Sequence, residues 1–447
     1  MFKKIYHIIA NKHFLSLAGN VIMSGFGLFT MTLIYRSLSK FDAGIWVFFQ
    51  SILLLVDTLR SGFLTTAFIK FYAGATEARK TEVAGSSWFI GFLITGLLVF
   101  AGLCSNLFAG FITDDGLRLF LKWSGLYYTL SLPWFIATCV IQGEQKFDRL
   151  LYLRLCNQGS FITFIILLIA TGNITLINIL YVYFLSNLIT SVFALSKKWT
   201  RITTIGNRSI ATIKEIYQFG KYSVGSALSS NLFSTSDTII INFLLGKPAL
   251  AIYNLGQTLM QLVEIPLRSF AATCMPALAS AYNQNNRAQV IQIMMKYAGM
   301  LVICLIPAAI IGCSLADVPI YFIGGGKYAG TEAANVFRLF LTFAILFPPD
   351  RFFALTLDVI HQPKVNFYKV LVMLAVNIAG DFIGYAITHN VYGIAFSTVL
   401  TIITGTIIGY VALNKYQKFS YLNIFKVGYE ECTLVIKQAF GKRKIAS

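Results

Sequence analysis

Apolar stretches long enough to cross a lipid bilayer recur along this chain from one end to the other. A transmembrane helix needs about 20 mostly apolar residues, and we count about twelve such stretches. They lie near residues 15–35, 43–66, 84–108, 118–141, 151–171, 175–195, 219–245, 250–275, 291–315, 333–358, 366–387 and 391–413. Only 12% of the residues are charged, about half the share that is usual for soluble proteins. The sequence therefore predicts an all-α polytopic membrane protein.

The distribution of Lys and Arg between these spans predicts how the chain is oriented. Of the 36 basic residues, we assign 26 (Lys369 among them) to the side of the N-terminus, 6 (Lys247 among them) to the opposite side and 4 to the spans. Because Lys and Arg concentrate in cytoplasmic loops, both termini are expected to be cytoplasmic. The formal charge of +18 is divided among short groups rather than gathered in one patch, which argues against a nucleic-acid partner.

The longest internal loop is basic and separates six spans from six others. The predicted segments are an interfacial N-terminus (1–14), a six-helix lobe (15–195), a basic cytoplasmic linker (196–218), a second six-helix lobe (219–413) and a basic cytoplasmic tail (414–447). We expect the basic and apolar N-terminal stretch to be retained as a short interfacial helix, because no signal-peptide cleavage site follows it. Parts of the tail are expected to lie on the membrane surface.

Two stretches of the first half recur in the second half in the same order. LSKFDAGIWVFFQSILLLVD (38–57) aligns with LGKPALAIYNLGQTLMQLVE (245–264) at a shift of 207 residues, and GEQKFDR (143–149) aligns with HQPKVNF (361–367) at a shift of 218. Each half then holds six helices that run in the same direction. The two lobes are therefore expected to be related by a pseudo-twofold axis along the membrane normal, around a central cavity.

Three stretches resemble a known family of transporters. DTIIINFLLGKPALAIYNLGQ (237–257) resembles the seventh and eighth helices of bacterial polysaccharide flippases, LIYRSLSKFDAGIW (33–46) resembles their first outer turn, and NVYGIAFSTVLT (390–401) is similar to their last. The chain thus resembles the Wzx-type flippases, in the superfamily that also holds the multidrug exporters and the lipid II flippase.

This resemblance implies a substrate and a set of partners. The substrate would be an undecaprenyl-diphosphate-linked oligosaccharide, such as an O-antigen, capsule or exopolysaccharide repeat unit, moved across the bacterial inner membrane by alternating access. Glycan polymerase and chain-length machinery are the protein partners that such a role implies.

Charged residues inside the spans are the candidate site residues, because a charge at bilayer depth usually faces a protein interior or a wet cavity. Asp57 and Arg60 are three residues apart and share one helix face. The repeat places Glu264 at the position equivalent to Asp57, and Arg268 lies one position beyond the equivalent of Arg60. Each acid either neutralises its own arginine or takes part in binding, and the sequence leaves both interpretations open.

Arginine suits a diphosphate because its planar guanidinium donates paired hydrogen bonds and stays charged. Arg60, Arg268 and Arg351 are therefore candidate ligands for the lipid diphosphate. Arg351 ends the stretch FPPDR, whose two prolines are expected to break the tenth span. Arg338, nearer the outer end, is a candidate for guiding the sugar or headgroup, with extension to the interface as the alternative.

Asp237 lies in the middle of a span, with no Lys or Arg within four positions in the sequence. A carboxyl in a dry site can take up a proton or a cation, so Asp237 is a candidate for H⁺ or Na⁺ coupling. The alternative is a hydrogen-bonded acid that packs helices together.

Two other classes of function compete with the flippase interpretation. A cation-coupled multidrug exporter of the same fold is the alternative, because acids accompany the arginines. A membrane enzyme is disfavoured because the outer loops are short, and the lack of a phosphate-binding GxxxxGK[ST] pattern argues against ATP hydrolysis. No catalytic residue, cofactor or metal site is expected, since the four histidines and seven cysteines show no ligand spacing.

Overall fold

The computed structural model describes residues 12–107 and 112–441, and all regular secondary structure within these two ranges is helical. Residues 1–11 and 442–447 lie outside the described residues. The predicted interfacial helix at the N-terminus and the end of the predicted tail therefore remain predictions.

The chain divides into two compact units, Met1–Thr238 and Ile239–Ser447. The first unit contains α1 (Lys12–Ser37), α2 (Lys40–Tyr72), α3 (Glu77–Leu107), α4 (Asp115–Gly143), α5 (Phe147–Ala170), α6 (Leu176–Ser196) and most of α7 (Ile210–Leu244). The second contains α8 (Lys247–Leu259), α9 (Gln261–Asn283), α10 (Arg287–Ser314), α11 (Asp317–Gly324), α12 (Ala333–Thr342), α13 (Phe347–Val359), α14 (Pro363–Thr388), α15 (Val391–Tyr416) and α16 (Asn423–Gly441).

Nine helical stretches of the described residues are long and apolar enough to cross a membrane, if α8 and α9 count as one. A tenth is the pair formed by α12 and α13, which is bent by 41°. The helices α1 and α7, of 26 and 35 residues, are also long enough. The prediction of an all-α, multi-pass membrane protein with about twelve spans is confirmed.

Matching helix starts and turns occur in the same order in the two halves, at spacings of 207 and 216 residues. Helix α2 begins at Lys40 and α8 begins at Lys247, which is the predicted shift of 207 residues. The turn before α5 places Gln145 at φ 56°, and the turn before α14 places His361 at φ 59°. These two left-handed residues are 216 positions apart. The predicted shift of 218 for this stretch is wrong by two, because the chain reversal is fixed by the left-handed residue and not by the side chains that happen to match.

The predicted linker is tied to α3. The indole Nε1 of Trp88 donates a hydrogen bond to the backbone oxygen of Thr200 at 2.8 Å. Gly85 allows this close approach, since a Cβ atom there would lie 2.2 Å from the Thr204 oxygen. The division between the compact units falls inside α7, and the six-and-six arrangement of lobes stays a prediction.

The predicted tail contains a helix, α16, that packs against α10. A Cβ atom on Gly299 would lie 2.0 Å from the oxygen of Ile424, so the two backbones touch. Lys296 Nζ and Glu431 Oε2 form an ion pair of 2.7 Å across the same contact. Part of the tail is thus held by another helix of its own unit, which its sequence alone did not indicate.

Candidate substrate-binding and coupling sites

Arg60 of α2 is buried, with only 1% of its side chain exposed. Its Nη2 lies 2.7 Å from Asp57 Oδ1, and its Nη1 donates a hydrogen bond to Ser131 Oγ of α4 at 3.0 Å. The guanidinium carbon lies 4.3 Å from the ring centre of Phe135, close enough for a cation–π interaction. These contacts make Arg60 part of the packing between α2 and α4.

Asp57 is the more accessible member of this pair, with 28% of its side chain exposed. Tyr128 covers the arginine, with the guanidinium carbon 5.2 Å from its ring centre, and its hydroxyl donates to the Leu53 oxygen at 3.1 Å. The rings of Tyr127 and Tyr183 stack nearby at 5.6 Å. The Asp57–Arg60 cluster is therefore a polar and aromatic seam inside the first unit.

The matching pair of the second unit has the opposite exposure. Arg268 Nη2 and Glu264 Oε2 are 2.6 Å apart, but their side chains are 72% and 42% exposed. Arg268 thus offers an exposed guanidinium on a stretch that is long and apolar enough to cross the membrane.

Arg351 of α13 is also exposed, and it makes no ion pair with any residue that the structure describes. Its neighbour Asp350 pairs with Lys369 of α14, whose Nζ lies 2.6 Å from the carboxylate and whose side chain is 2% exposed. The side of the membrane assigned to Lys369 stays a prediction, and the structure adds that this ion pair compensates the charge of the lysine between packed helices. Lys247 lies at the first position of α8 with its side chain buried, and the side of the membrane assigned to it also stays a prediction.

The tenth span is broken, as predicted, but the break precedes the prolines. Phe343 separates α12 from a single 3₁₀ turn, Ala344–Leu346, and α13 follows directly. Pro348 and Pro349 lie in the first turn of α13, where their missing N–H groups need no partner. The prolines thus start the second segment of the span rather than interrupting a helix.

Arg338 of α12 is committed to protein partners. It forms an ion pair with Asp317, its Nη1 donates to Asn335 Oδ1 at 2.8 Å, and its Nε donates to the backbone oxygen of Cys313 at 3.1 Å. These contacts join α10, α11 and α12. The role of Arg338 in guiding the sugar or headgroup stays a prediction.

Asp237 is buried in α7. Its role in H⁺ or Na⁺ coupling stays a prediction.

One buried acid escaped the sequence analysis. Asp381 of α14 is fully buried, and it accepts hydrogen bonds from Asn377 Nδ2 at 3.0 Å and from Ser397 Oγ of α15. The signal was present in the sequence. Asn377 and Asp381 are four residues apart in an otherwise apolar run and so share one helix face.

Glu144, which directly follows α4, is the centre of an ionic network in the first unit. It accepts hydrogen bonds from Lys146 Nζ at 2.6 Å, from Arg201 Nη2 at 3.0 Å and from the Tyr72 hydroxyl at 3.1 Å. Burial acts to raise the pKa of this carboxyl, but its hydrogen bonds and the charges of Lys146 and Arg201 outweigh burial and hold the pKa below its ordinary value. The ionised carboxylate thus fastens the linker to the ends of α2 and α4.

The fold is that of the MOP superfamily of transporters. The structure is similar to an inward-facing multidrug resistance MATE family transporter of that superfamily (TM-score 0.74, 15% identity, covering 89% of this chain and 96% of that chain). It is also similar to the lipid II flippase MurJ in an inward closed conformation (TM-score 0.73, 15% identity, covering 94% of this chain and 91% of that chain). A third match is a MOP superfamily transporter from Pyrococcus furiosus (TM-score 0.58, 16% identity, covering 91% of this chain and 97% of that chain). At these identities the likeness establishes the fold alone.

The family follows from a match between sequence and family model. Residues 9–282, more than half of the chain, match the model of the polysaccharide biosynthesis protein family. The chain therefore belongs to this family, and the suspected relationship to polysaccharide flippases of the MOP superfamily is confirmed. A comparison with curated proteins gave no match.

Proposed function

We propose that this protein is a flippase that moves an undecaprenyl-diphosphate-linked oligosaccharide across the bacterial inner membrane by alternating access. The observation that carries this proposal is the exposed guanidinium of Arg268 on a membrane-crossing stretch of a polysaccharide biosynthesis protein. Both termini would lie in the cytoplasm, and the flipped unit would pass to glycan polymerase and chain-length machinery.

The position of Arg268 suits the loading of such a substrate. The basic-residue distribution assigns the far end of α9 to the cytoplasmic side, so the exposed guanidinium lies on a helix along which a lipid diphosphate can enter from the cytoplasmic face. Glu264 holds the guanidinium in place through a single ion pair of 2.6 Å. The remaining N–H donors of Arg268 can therefore bind phosphate oxygens, and the exposed Arg351 offers a second guanidinium in the same unit.

A cation-coupled multidrug exporter is the alternative, because a MATE transporter shares the fold. Binding of a lipophilic cation calls for a carboxylate that no protein cation already neutralises. Asp57 and Glu264 are both paired with arginine, at 2.7 Å and 2.6 Å. This pairing favours an anionic substrate, while Asp237 is the proposed site for H⁺ or Na⁺ coupling in either case.

Replacing Arg268 by alanine is expected to slow flipping about 10- to 100-fold, because a hydrogen bond to a charged group contributes about 1.5–3 kcal/mol. Arg268→Lys keeps the positive charge but loses the paired hydrogen bonds of the planar guanidinium, so we expect it to retain more activity than the alanine variant. Arg351→Ala is expected to slow flipping less. The measurement is the rate at which a fluorescent undecaprenyl-diphosphate oligosaccharide crosses proteoliposome membranes, read by quenching of the outer leaflet.

The matched control is Lys364→Ala, which removes an exposed cation of the same unit that has no place in the proposed site. This variant should flip at the wild-type rate. Wild-type rates in a folded Arg268→Ala, Arg351→Ala double variant would contradict the proposed binding role of the arginines. Export of a lipophilic cation by the wild-type protein, without flipping of the labelled lipid, would establish the alternative.

A further inference from the structure

A separate cavity of about 220 Å³ lies in the first unit, at the ends of three candidate membrane spans. It is formed where α4 ends, α5 begins and the chain leaves α6 for the linker. Five cations and one carboxylate line it, together with the indole of Trp199. We name this cavity the basic pocket, and its charged residues are Glu144, Lys146, Arg149, Lys197, Lys198 and Arg201.

The charges of the basic pocket do not balance within the protein. Glu144 is shared by Lys146 and Arg201, as described above. Among the residues that the structure describes, no carboxylate lies within ion-pair distance of Arg149, Lys197 or Lys198. Arg149 instead lies with its guanidinium carbon 5.7 Å from the Trp199 ring centre. The lining therefore has an excess of positive charge in a concave site, which an anion would stabilise.

The backbone of the basic pocket provides a second, independent observation. Lys198 and Arg201 have φ angles of 57° and 47°, a left-handed conformation in which glycine is usual and other residues cost free energy. Lys198 stands at the end of α6, where the Trp199 N–H donates to the Ala194 oxygen at 3.0 Å and closes the helix. A lysine thus occupies a position that glycine would adopt at lower free energy. Such local strain is typical of functional sites.

We propose that the basic pocket binds a phosphate ester, and that its source is the headgroup of an anionic phospholipid of the surrounding bilayer. The pocket lies at the level of a membrane face because it begins where three spans end, and basic pockets at this level are suited to anionic headgroups. Trp199 also lines the pocket. Its indole ring is amphipathic, and tryptophan is enriched at the membrane–water interface for this reason. This inference is independent of the substrate that the protein transports.

The test uses the full-length protein with two pocket substitutions, Arg149→Gln and Lys198→Gly. Lys198→Gly places a glycine where the backbone favours it, and thermal unfolding of the double variant shows whether Arg149→Gln has changed its stability. The probe is dioleoylphosphatidylglycerol, titrated into purified protein in a zwitterionic detergent and counted by native mass spectrometry. Removing two charge-assisted contacts should weaken binding of the first phosphatidylglycerol at least about tenfold. Phosphatidylcholine should bind equally to wild type and variant.

The control is Lys364→Gln with Lys418→Gln, which removes the same charge from exposed positions outside the basic pocket. It should bind phosphatidylglycerol like the wild type. Equal loss in this control and in the pocket variant, or no loss in either, would overturn the proposal. Thermal unfolding with inorganic phosphate shows whether the bound phosphate group comes from a lipid. Suppose that inorganic phosphate raises the unfolding temperature of the wild type as much as phosphatidylglycerol does, and does not raise that of the pocket variant. This result would support a phosphate site but refute the lipid headgroup as its ligand.

Discussion

Replacing Asp57 by asparagine is expected to destabilise the first unit by about 3 kcal/mol, because removing one partner of a buried ion pair leaves the other charge uncompensated. Arg60 is only 1% exposed and would keep Ser131 and the ring of Phe135 but no counter-charge. The partial exposure of Asp57, 28%, places the effect at the lower end of the range for such changes. Thermal unfolding of the purified protein in detergent measures it.

The repeat supplies a matched control for this substitution. Glu264→Gln removes the equivalent acid from a pair whose side chains are 42% and 72% exposed. Exposed ion pairs contribute about 0–1 kcal/mol, so this variant should unfold close to the wild-type temperature. Equal destabilisation by the two substitutions would show that the burial of Arg60 does not determine the strength of its pair.

A double substitution separates packing from function at the same cluster. Asp57→Leu with Arg60→Met replaces the pair by apolar side chains of similar size, and such replacements of buried pairs are often neutral or stabilising. We therefore expect this variant to fold. A folded double variant that flips lipid at the wild-type rate would assign Arg60 to packing alone, whereas a folded variant without activity would assign it to the transport pathway.

The helices themselves follow from the sequence because apolar length and turn residues determine where a span begins and ends. The spans predicted near 151–171 and 175–195 correspond to α5, Phe147–Ala170, and α6, Leu176–Ser196. Gly172, at φ 70°, lies in the turn between them and supplies a left-handed conformation that glycine adopts without strain. Local signals of this kind require no knowledge of the partner helices.

The environment of a charge does not follow from such local signals. The stretches around Asp57 and Glu264 align in the sequence, yet one arginine is buried and the other is 72% exposed. The difference arises from Ser131 and Phe135 of α4, about 70 residues away in the chain, which contact Arg60. Among the residues that the structure describes, Arg268 has no equivalent contact. The burial of Lys369 is likewise not evident from its own stretch, because Asp350, the carboxylate that compensates its charge, lies on another helix.

Gly384→Ala in α14 is expected to destabilise the second unit by about 2–3 kcal/mol. The added methyl group would collide with backbone atoms, which cannot move aside as a flexible side chain could. The Cβ atom would lie 2.4 Å from the backbone oxygen of Gly393 in α15. Gly159→Ala is the control, since its Cβ meets nothing within 4 Å in the middle of α5. That substitution should stabilise its helix by up to about 1 kcal/mol, so thermal unfolding should show shifts of opposite sign.

The loss of stability in Gly384→Ala should include weaker hydrogen bonding of Asp381, the buried acid on the same pair of helices. Separating α14 from α15 lengthens the hydrogen bond from Ser397 to Asp381, and an acid that is fully buried loses one of its donors. Ser397→Ala removes the same donor without moving the helices. The combined loss of stability in Gly384→Ala, Ser397→Ala should therefore be smaller than the sum of the two single losses. Strict additivity in this double-mutant cycle would show that the glycine contact and the Asp381 hydrogen bonds stabilise the helix pair independently.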